Sequence, residues 1–358
     1  MKLLFYISTI RGGGAARVMV NITNGLVEKG YEICFVTNFP ADHEYELARS
    51  IRRISLEEVE SKKNVVSKNL KRIRGLRRVI RSEQPDVSIA FMGENNFRLI
   101  LASRGLSTKT IVSVRNDPAR EYAGKGQKKL ANFLFSKADG IVFQTEDARR
   151  QFPEKIQKKS KIIFNQVDEK FFNIKKSDGQ YILACGRLSK QKNYPMMLRA
   201  FSAVLKEYPN EELRIYGEGD LKEELVSLAK KLGINKSVHF MGFSTDMLEV
   251  YKNAKLLLMS SDYEGMPNVL LEAMASSVPV ISTDCPCGGP RAIVSNGENG
   301  YLVQVNDAGA MANSIITLLG DDTIANSFSR NARESADDYR PKRIIQQWEE
   351  YIVKISGL

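Results

Sequence analysis

Short apolar runs alternate with amphipathic segments along the chain, stop at a polar stretch, and then begin again. In the first half KLLFYIS, YEICFVT, IRRISL, DVSIAFM, TIVSV, ADGIVFQT and KIIFN read as strands. AARVMVNITNGLVEKG, residues 65–82, NNFRLILASRG and GQKKLANFLFSKA carry the helical period. Apolar strands separated by helices predict a parallel sheet covered on both faces. NIKKSDG, residues 173–179, is polar and ends in glycine, so the linker is placed there. YILACG, ELRIYG, SVHFMG, AKLLLMS and VPVIST then resume the strand pattern. Helices are expected at NYPMMLRAFSAVLKEY, DLKEELVSLAKKLG and PNVLLEAMAS, and in two stretches from 307 to 338. PKRIIQQWEEYIVKI is the last helix, with Pro341 suited to its first turn. The fold class is therefore α/β, with two doubly wound domains at 1–172 and 173–338 and a closing helix at 339–358. Ligands of such sheets sit at the carboxyl ends of the strands.

A chain of 358 residues can build two cores without disulfide staples. Cys34 and Cys185 lie inside strand-like runs, and Cys285-Pro286-Cys287 has no histidine near it. Reduced thiols, no metal and a cytoplasmic location are expected. The opening MKLLFYISTI is followed by RGGGAARV instead of a cleavage site, so it reads as a first buried strand. No apolar run approaches the roughly 20 residues of a membrane span. His43 and His239 are the only histidines, which argues against a Ser-His-Asp triad or a multi-histidine metal site. Charge is unevenly placed. Residues 1–170 hold 32 Lys and Arg against 19 Asp and Glu, whereas residues 171–358 hold 21 against 23. Nucleic acid, an anionic membrane surface or an anionic substrate could each account for a basic first half.

Five stretches carry possible chemistry. Gly12-Gly13-Gly14 follows the first strand and opens a helix, where a ligand could approach backbone amides; a plain tight turn reads equally well. Arg17 in the third glycine position, and no acid after CFVTN, disfavour a dinucleotide site. In GRLSKQKN, Arg187 and Lys192 follow a strand and could grip a diphosphate and stabilise it as a leaving group, or simply be a solvated basic loop. In SSDYEGMPNVLLEAMAS, Pro267 fits the first helical position, leaving amides from Met266 to Leu270 for an anion or sugar hydroxyls. Glu264 could accept from a sugar and Glu272 from a ribose diol. Gly288-Gly289-Pro290 reads as a turn opening a short helix, and Asn299-Gly300 as a turn before a strand. Finally, KNLKRIRGLRRVIRSE forms a helix with Leu70, Ile73, Leu76, Val79 and Ile80 on one stripe. Lys71, Arg74, Arg78 and Arg81 form a basic row, and Lys68 and Arg72 a shorter one beside it. Such a row attracts anionic lipid or a lipid-linked phosphate, unless it is only the solvated face of a core helix.

Taken in order, GGGAARV, NQVDEKFF, GRLSKQKN, YGEGDLKEEL, the Glu264 to Glu272 motif, GGPRAIV and NGENGYLV resemble the family 4 retaining glycosyltransferases of the GT-B fold. The resemblance covers nearly the whole chain. It implies two Rossmann-like domains facing across a cleft, an N-terminal acceptor domain, a C-terminal nucleotide-sugar domain and a last helix that crosses back. Arg187 and Lys192 match the pair that binds the donor diphosphate and assists its departure. Glu264 matches the glutamate at the donor sugar, and Glu272 the one at the nucleotide ribose. Met266, Pro267, Asn268 and Val269 match the donor-binding segment, where Pro267 itself brings no N–H. Gly13 and Gly14 match the loop facing the diphosphate.

Two departures stand out. Many relatives carry a histidine where SVRNDP places Arg115, which binds an anion or a hydroxyl but shuttles no proton near neutral pH. Ala292 stands where relatives often have glutamate. The implied activity is a metal-independent retaining transfer from a UDP-sugar, N-acetylhexosamine and in particular GalNAc being preferred. The implied acceptor is a lipid-linked glycan or polysaccharide at the inner face of the cell membrane. Lys68, Lys71, Arg72, Arg74, Arg78, Arg81 and Arg115 would meet the acceptor, its lipid diphosphate or the anionic surface. A UDP-sugar epimerase of the GT-B group keeps the fold but has less use for the basic half. A nucleic-acid-binding protein is the non-enzymatic alternative, without a recognised module; nucleic acid is not expected as a partner.

Overall fold

The computed structural model describes residues 1–58 and 64–357. The chain divides into two compact units, Met1–Gln166 with Pro341–Leu358, and Val167–Arg340.

The first unit is built on a parallel sheet of β1 (Lys2–Ile7), β2 (Glu32–Thr37), β3 (Arg52–Ser55), β4 (Val87–Phe91), β5 (Lys109–Ser113), β6 (Gly140–Phe143) and β7 (Ser160–Ile162). Its order is β3-β2-β1-β4-β5-β6-β7. Leu3 pairs with Ile33 on one side and Val87 on the other, so β1 is central and apolar on both faces. Helices Gly14–Glu28 and Pro341–Ser356 close one face, where Trp348 is fully buried and lies 5.6 Å from the Phe91 ring. Gly25 lets these two helices meet, since a Cβ there would fall 2.1 Å from Ile345 Cδ1. The Tyr351 hydroxyl accepts from the Ile141 amide (2.9 Å) and donates to the Lys159 carbonyl (2.6 Å), tying the last helix to β6. Helices Val65–Glu83 and Gly93–Ser103 close the opposite face through Leu76, Ile80, Leu99 and Ala102. Asn64 caps the former, its side chain accepting from Ser67 N (2.8 Å).

The second unit repeats the plan. Its strands are β8 (Tyr181–Cys185), β9 (Leu213–Tyr216), β10 (Val238–Gly242), β11 (Ala254–Met259), β12 (Val280–Thr283) and β13 (Tyr301–Val303), ordered β10-β9-β8-β11-β12-β13. All paired strands are parallel. In both units the first strand lies inside the sheet and the order reverses beside it, which is the doubly wound plan.

The unit boundaries differ from those read in the sequence. Residues 167–179 belong to the second unit, which moves the first boundary from 172 back to 166. The Val167 amide donates to the Tyr339 carbonyl (2.9 Å), and Phe171 packs edge-on against Tyr251 at 5.6 Å. Within NIKKSDG the Ser177 amide and hydroxyl bond to Lys252 and Asn253, so the stretch is tied to the second unit and is not a free linker. The second boundary falls at 340/341, and the last helix starts at Pro341.

Candidate functional site

In the second sheet, β8 and β11 are neighbours at the point where strand order reverses. The loops leaving their carboxyl ends carry Arg187 and Lys192 on one side and Glu264 on the other. Backbone and side-chain bonds stitch these loops together. The Asp262 amide donates to Gln191 O (2.8 Å), Gln191 Nε2 to Tyr263 O (2.9 Å) and Ser260 Oγ to Lys192 O (2.8 Å). Asn193, left-handed at φ 44, begins helix Tyr194–Val204 and donates to Asp262 Oδ1 (2.7 Å).

This stitching brings Lys192 Nζ to 2.5 Å from Glu264 Oε1, which also accepts from Ser261 Oγ (2.7 Å). Glu264 is itself held at the backbone: its amide donates to Pro286 O (2.6 Å) and its carbonyl accepts from Cys287 N (3.0 Å). Arg187 is exposed and has no ion pair among the described residues. The loop thus presents one open cation and one cation held by a carboxylate, both at a sheet's ligand-binding edge. Such an arrangement can bind a diphosphate and stabilise charge developing on it.

Pro267 precedes the helix Asn268–Ala275 instead of occupying its first turn; its carbonyl accepts from Leu270 N (3.2 Å). The segment Met266, Pro267, Asn268 and Val269, expected to bind the donor, therefore straddles the helix start. Glu272, one turn in, is buried, and its Oε2 accepts from the Tyr251 hydroxyl (3.0 Å), which also lies 3.3 Å from Val269 O. Sequence reasoning misses Tyr251, because nothing in the sequence separates it from any other core tyrosine.

Glycines here serve close approach. A Cβ on Gly217 would sit 2.1 Å from Gly186 O, and one on Gly219 would sit 2.3 Å from Leu188 O. YGEG is thus the packing partner of the Arg187 loop. A Cβ on Gly289 would meet Gly265 O at 1.6 Å, so GGP seats the Glu264 loop. Cys285 and Cys287 are buried beside it, and burial pushes the Cys285 thiol up to about 12.

In the first unit, Gly13 precedes helix Gly14–Glu28. Gly12 and Gly13 hold φ of 54 and 83, with open space where side chains would be. They are needed for backbone conformation. Arg115 is corrected from an open contact to a buried cation. Its Nη1 donates to Asn165 Oδ1 (2.9 Å), and its guanidinium carbon lies 3.8 Å from the Phe91 ring centre. Nε and Nη2 are buried without a hydrogen-bond partner, and burial pulls its pKa down to about 9.

Arg72 is also corrected. It turns inward, and its Nε pairs with buried Glu57 Oε1 at 2.7 Å. Lys71 lies 3.8 Å from the other Glu57 oxygen, Lys68 is half-buried, and Arg74, Arg78 and Arg81 are exposed. Among the described residues no three of His, Cys, Asp and Glu gather as metal ligands, and no helix is long and apolar enough to cross a membrane.

Residues 12–171 match Glycosyltransferase Family 4, and residues 166–335 match Glycosyl transferases group 1. The chain is a family 4-like glycosyltransferase. Among its relatives is the GalNAc-alpha-(1->4)-GalNAc-alpha-(1->3)-diNAcBac-PP-undecaprenol alpha-1,4-N-acetyl-D-galactosaminyltransferase of Campylobacter jejuni subsp. jejuni serotype O:2. The two are 28% identical over 364 residues, covering 100% of this chain and 99% of the relative. The glycosyltransferase has the GT-B fold. HepE of Anabaena, solved with UDP and glucose, superposes with a TM-score of 0.81 at 18% identity over 100% of both chains. A point mutant of S. aureus TarM, solved with Fondaparinux, alpha-GlcNAc-glycerol and UDP, gives 0.79 at 15% identity over 98% of this chain and 99% of that one.

Proposed function

We propose that this glycosyltransferase moves an N-acetylhexosamine, GalNAc in particular, from its UDP-sugar to a lipid-linked glycan or polysaccharide acceptor, with retention at the anomeric carbon. The observation that carries the reading is the joined pair of loops at the β8/β11 edge, with Arg187, Lys192 and Glu264 on them and Glu272 one helical turn away. Arg187 and Lys192 hold the diphosphate, Glu272 the ribose, and Glu264 the sugar. The Met266–Val269 segment and the Gly13–Gly14 turn serve the donor. The bond from the anomeric carbon to phosphate oxygen breaks, the acceptor oxygen bonds the same face, and its proton passes to the departing phosphate. Positioning and fixed positive charge supply the catalysis, with no metal required.

The donor preference and the lipid-linked acceptor draw support from the Campylobacter relative, whose name carries both. UDP draws support from the two liganded structures. The exposed row Lys71, Arg74, Arg78 and Arg81 suits a lipid diphosphate or an anionic leaflet, which supports the reading of a peripheral protein on the inner face of the cell membrane.

A thermal-shift panel with UDP, GDP, ADP, NAD and UDP-sugars, with and without EDTA, tests the reading. A UDP-class ligand at 100 times its dissociation constant stabilises by about 2.7 kcal/mol. A shift with UDP or one UDP-sugar that survives EDTA supports it. A shift with GDP alone moves the donor class, and an epimer released from donor alone replaces transfer by epimerisation.

A further inference from the structure

In the first unit, three successive helices end at the same edge of the sheet. Helix Val65–Glu83 leads into β4, Gly93–Ser103 into β5 and Lys125–Phe135 towards β6, so their C-terminal ends lie at the amino ends of these adjoining strands. This is the opposite edge from Gly12–Gly14.

Apolar side chains stand in solvent there. Phe133 is 59% exposed, Leu130 47% and Leu101 42%. Leu130 and Phe133 are three residues apart and so share a face of their helix, while Ala131, Leu134 and Phe135 face inward. Leu101 and Phe133 line one cavity of about 440 Å³, together with Arg104, Lys109 and Lys137. The rim is basic. Residues 122–138 contain four lysines, Lys125, Lys128, Lys129 and Lys137, and no acid. None of these lysines, nor Arg104, has a carboxylate partner among the described residues, and Lys137 Nζ lies 5.5 Å from the Phe133 ring centre. Asp139 is the acid at the cavity, and Lys109 stands 3.7 Å from it. Exposed Arg78 and Arg81 end the neighbouring basic helix on the same edge.

Helix C-termini favour cations through their dipole. That accounts for Arg104 and Lys137, which follow helix ends, but not for Lys125, Lys128 and Lys129 in the first half of their helix, nor for a phenylalanine and two leucines left in water beside them. Apolar knobs inside an unneutralised basic rim fit a surface that is anionic outside and hydrocarbon within. We propose that this edge is a membrane seat: Leu101, Leu130 and Phe133 enter the acyl boundary of an anionic leaflet while Arg104, Lys129 and Lys137 meet lipid headgroups. The seat deepens the reading of a membrane-borne acceptor, which would put the bilayer on a defined side of the enzyme, and it is tested without that acceptor.

Co-sedimentation of the full chain with vesicles of phosphatidylcholine, alone or mixed with phosphatidylglycerol, reads the seat. Binding is expected to the mixed vesicles only, weakened by salt. Leu130→Ser with Phe133→Ser lowers that binding at least about tenfold. Both residues are exposed, so the unfolding temperature and any UDP shift stay unchanged. Phe133→Trp gives a direct report, because the chain's one tryptophan, Trp348, is fully buried. The new indole should be quenched by brominated acyl chains. Vesicle binding indifferent to the serine substitutions, an indole that brominated lipid leaves unquenched, or a self-associated species that the serines dissolve would overturn the seat. A retained UDP shift in that event leaves the transferase reading standing; a lost UDP shift with intact vesicle binding does the reverse.

Discussion

Lys192 and Glu264, seventy-two positions apart in the chain, form an ion pair of 2.5 Å at the carboxyl edge of the second sheet. On the proposed reading a diphosphate arriving there would compete with the carboxylate for the ammonium. Glu264→Gln should therefore tighten UDP binding while turnover falls ~10²-fold or more, since the sugar contact is altered. Isothermal titration with UDP, paired with turnover of a UDP-sugar, separates the two effects. Looser UDP binding in this variant would mean that the pair is not in the diphosphate's way.

Arg187 offers the cleaner test of leaving-group stabilisation. It is exposed and takes part in no ion pair among the described residues. Arg187→Ala should leave the unfolding temperature where it is and reduce kcat by ~10²–10³. Full activity would remove Arg187 from the chemistry.

Tyr251 bonds Glu272, the group proposed to hold the donor's ribose. Tyr251→Phe removes one hydrogen bond to a buried carboxylate, worth about 1.5–3 kcal/mol where the acceptor is charged. The KM for donor should rise well before kcat changes, because the bond orients a binding group. The split between the two parameters is the readout; equal loss of both with a lowered melting point would indicate a general packing role.

Arg72 and Arg78 are both arginines of one basic helix, yet their substitutions should diverge. Arg72→Ala takes the close hydrogen-bonded partner from buried Glu57, leaving it Lys71 at 3.8 Å, and should cost about 1.5–3 kcal/mol in chemical denaturation. Arg78→Ala should stay within about 0.5 kcal/mol of the parent and show its effect in salt-sensitive vesicle binding. Equal stability of the two variants would contradict the buried pair.

Lys176 gives a pH test. Burial lowers its pKa from 10.5 to about 8 in the folded chain. Between about pH 8 and the unfolded value the unfolded chain binds more protons, so this residue makes stability rise with pH across that window. Below pH 8 both states carry the charge and its contribution is flat. Lys176→Met should reduce the rise, measured as melting temperature against pH; an unaltered slope would place the group in solvent.

β3, whose Arg52 and Arg53 are exposed, and β7, with Lys161 at its centre, are edge strands with charge in them, but the strands inside both sheets stand out in the sequence as apolar runs, because a strand buried on both faces has little room for charge. The helices Pro118–Glu121, Glu146–Arg150 and Met247–Lys252 do not, being too short to show a period. In the site, Arg187, Lys192, Glu264 and Glu272 can be named from local spacing and resemblance. The pairing of Lys192 with Glu264 cannot, since it depends on which strands adjoin. Arg72 misleads for the same reason: helical spacing puts it next to exposed cations, and only the position of Glu57 draws it inward. The linker is hard to place because a polar stretch that bonds to a neighbouring backbone has the composition of one that bonds to water.

The helix carrying Trp348 and Tyr351 lies beyond the second unit in the chain but inside the core of the first. A ribosome must therefore translate all of the second unit before it can supply the residues that cover β4 and β6. Until then the emerging first unit keeps the apolar flank around Phe91 and Ile141 uncapped. The part made first is finished last, and a stop codon anywhere after Arg340 but before Trp348 would leave the second unit with all of its own strands and the first without its seal.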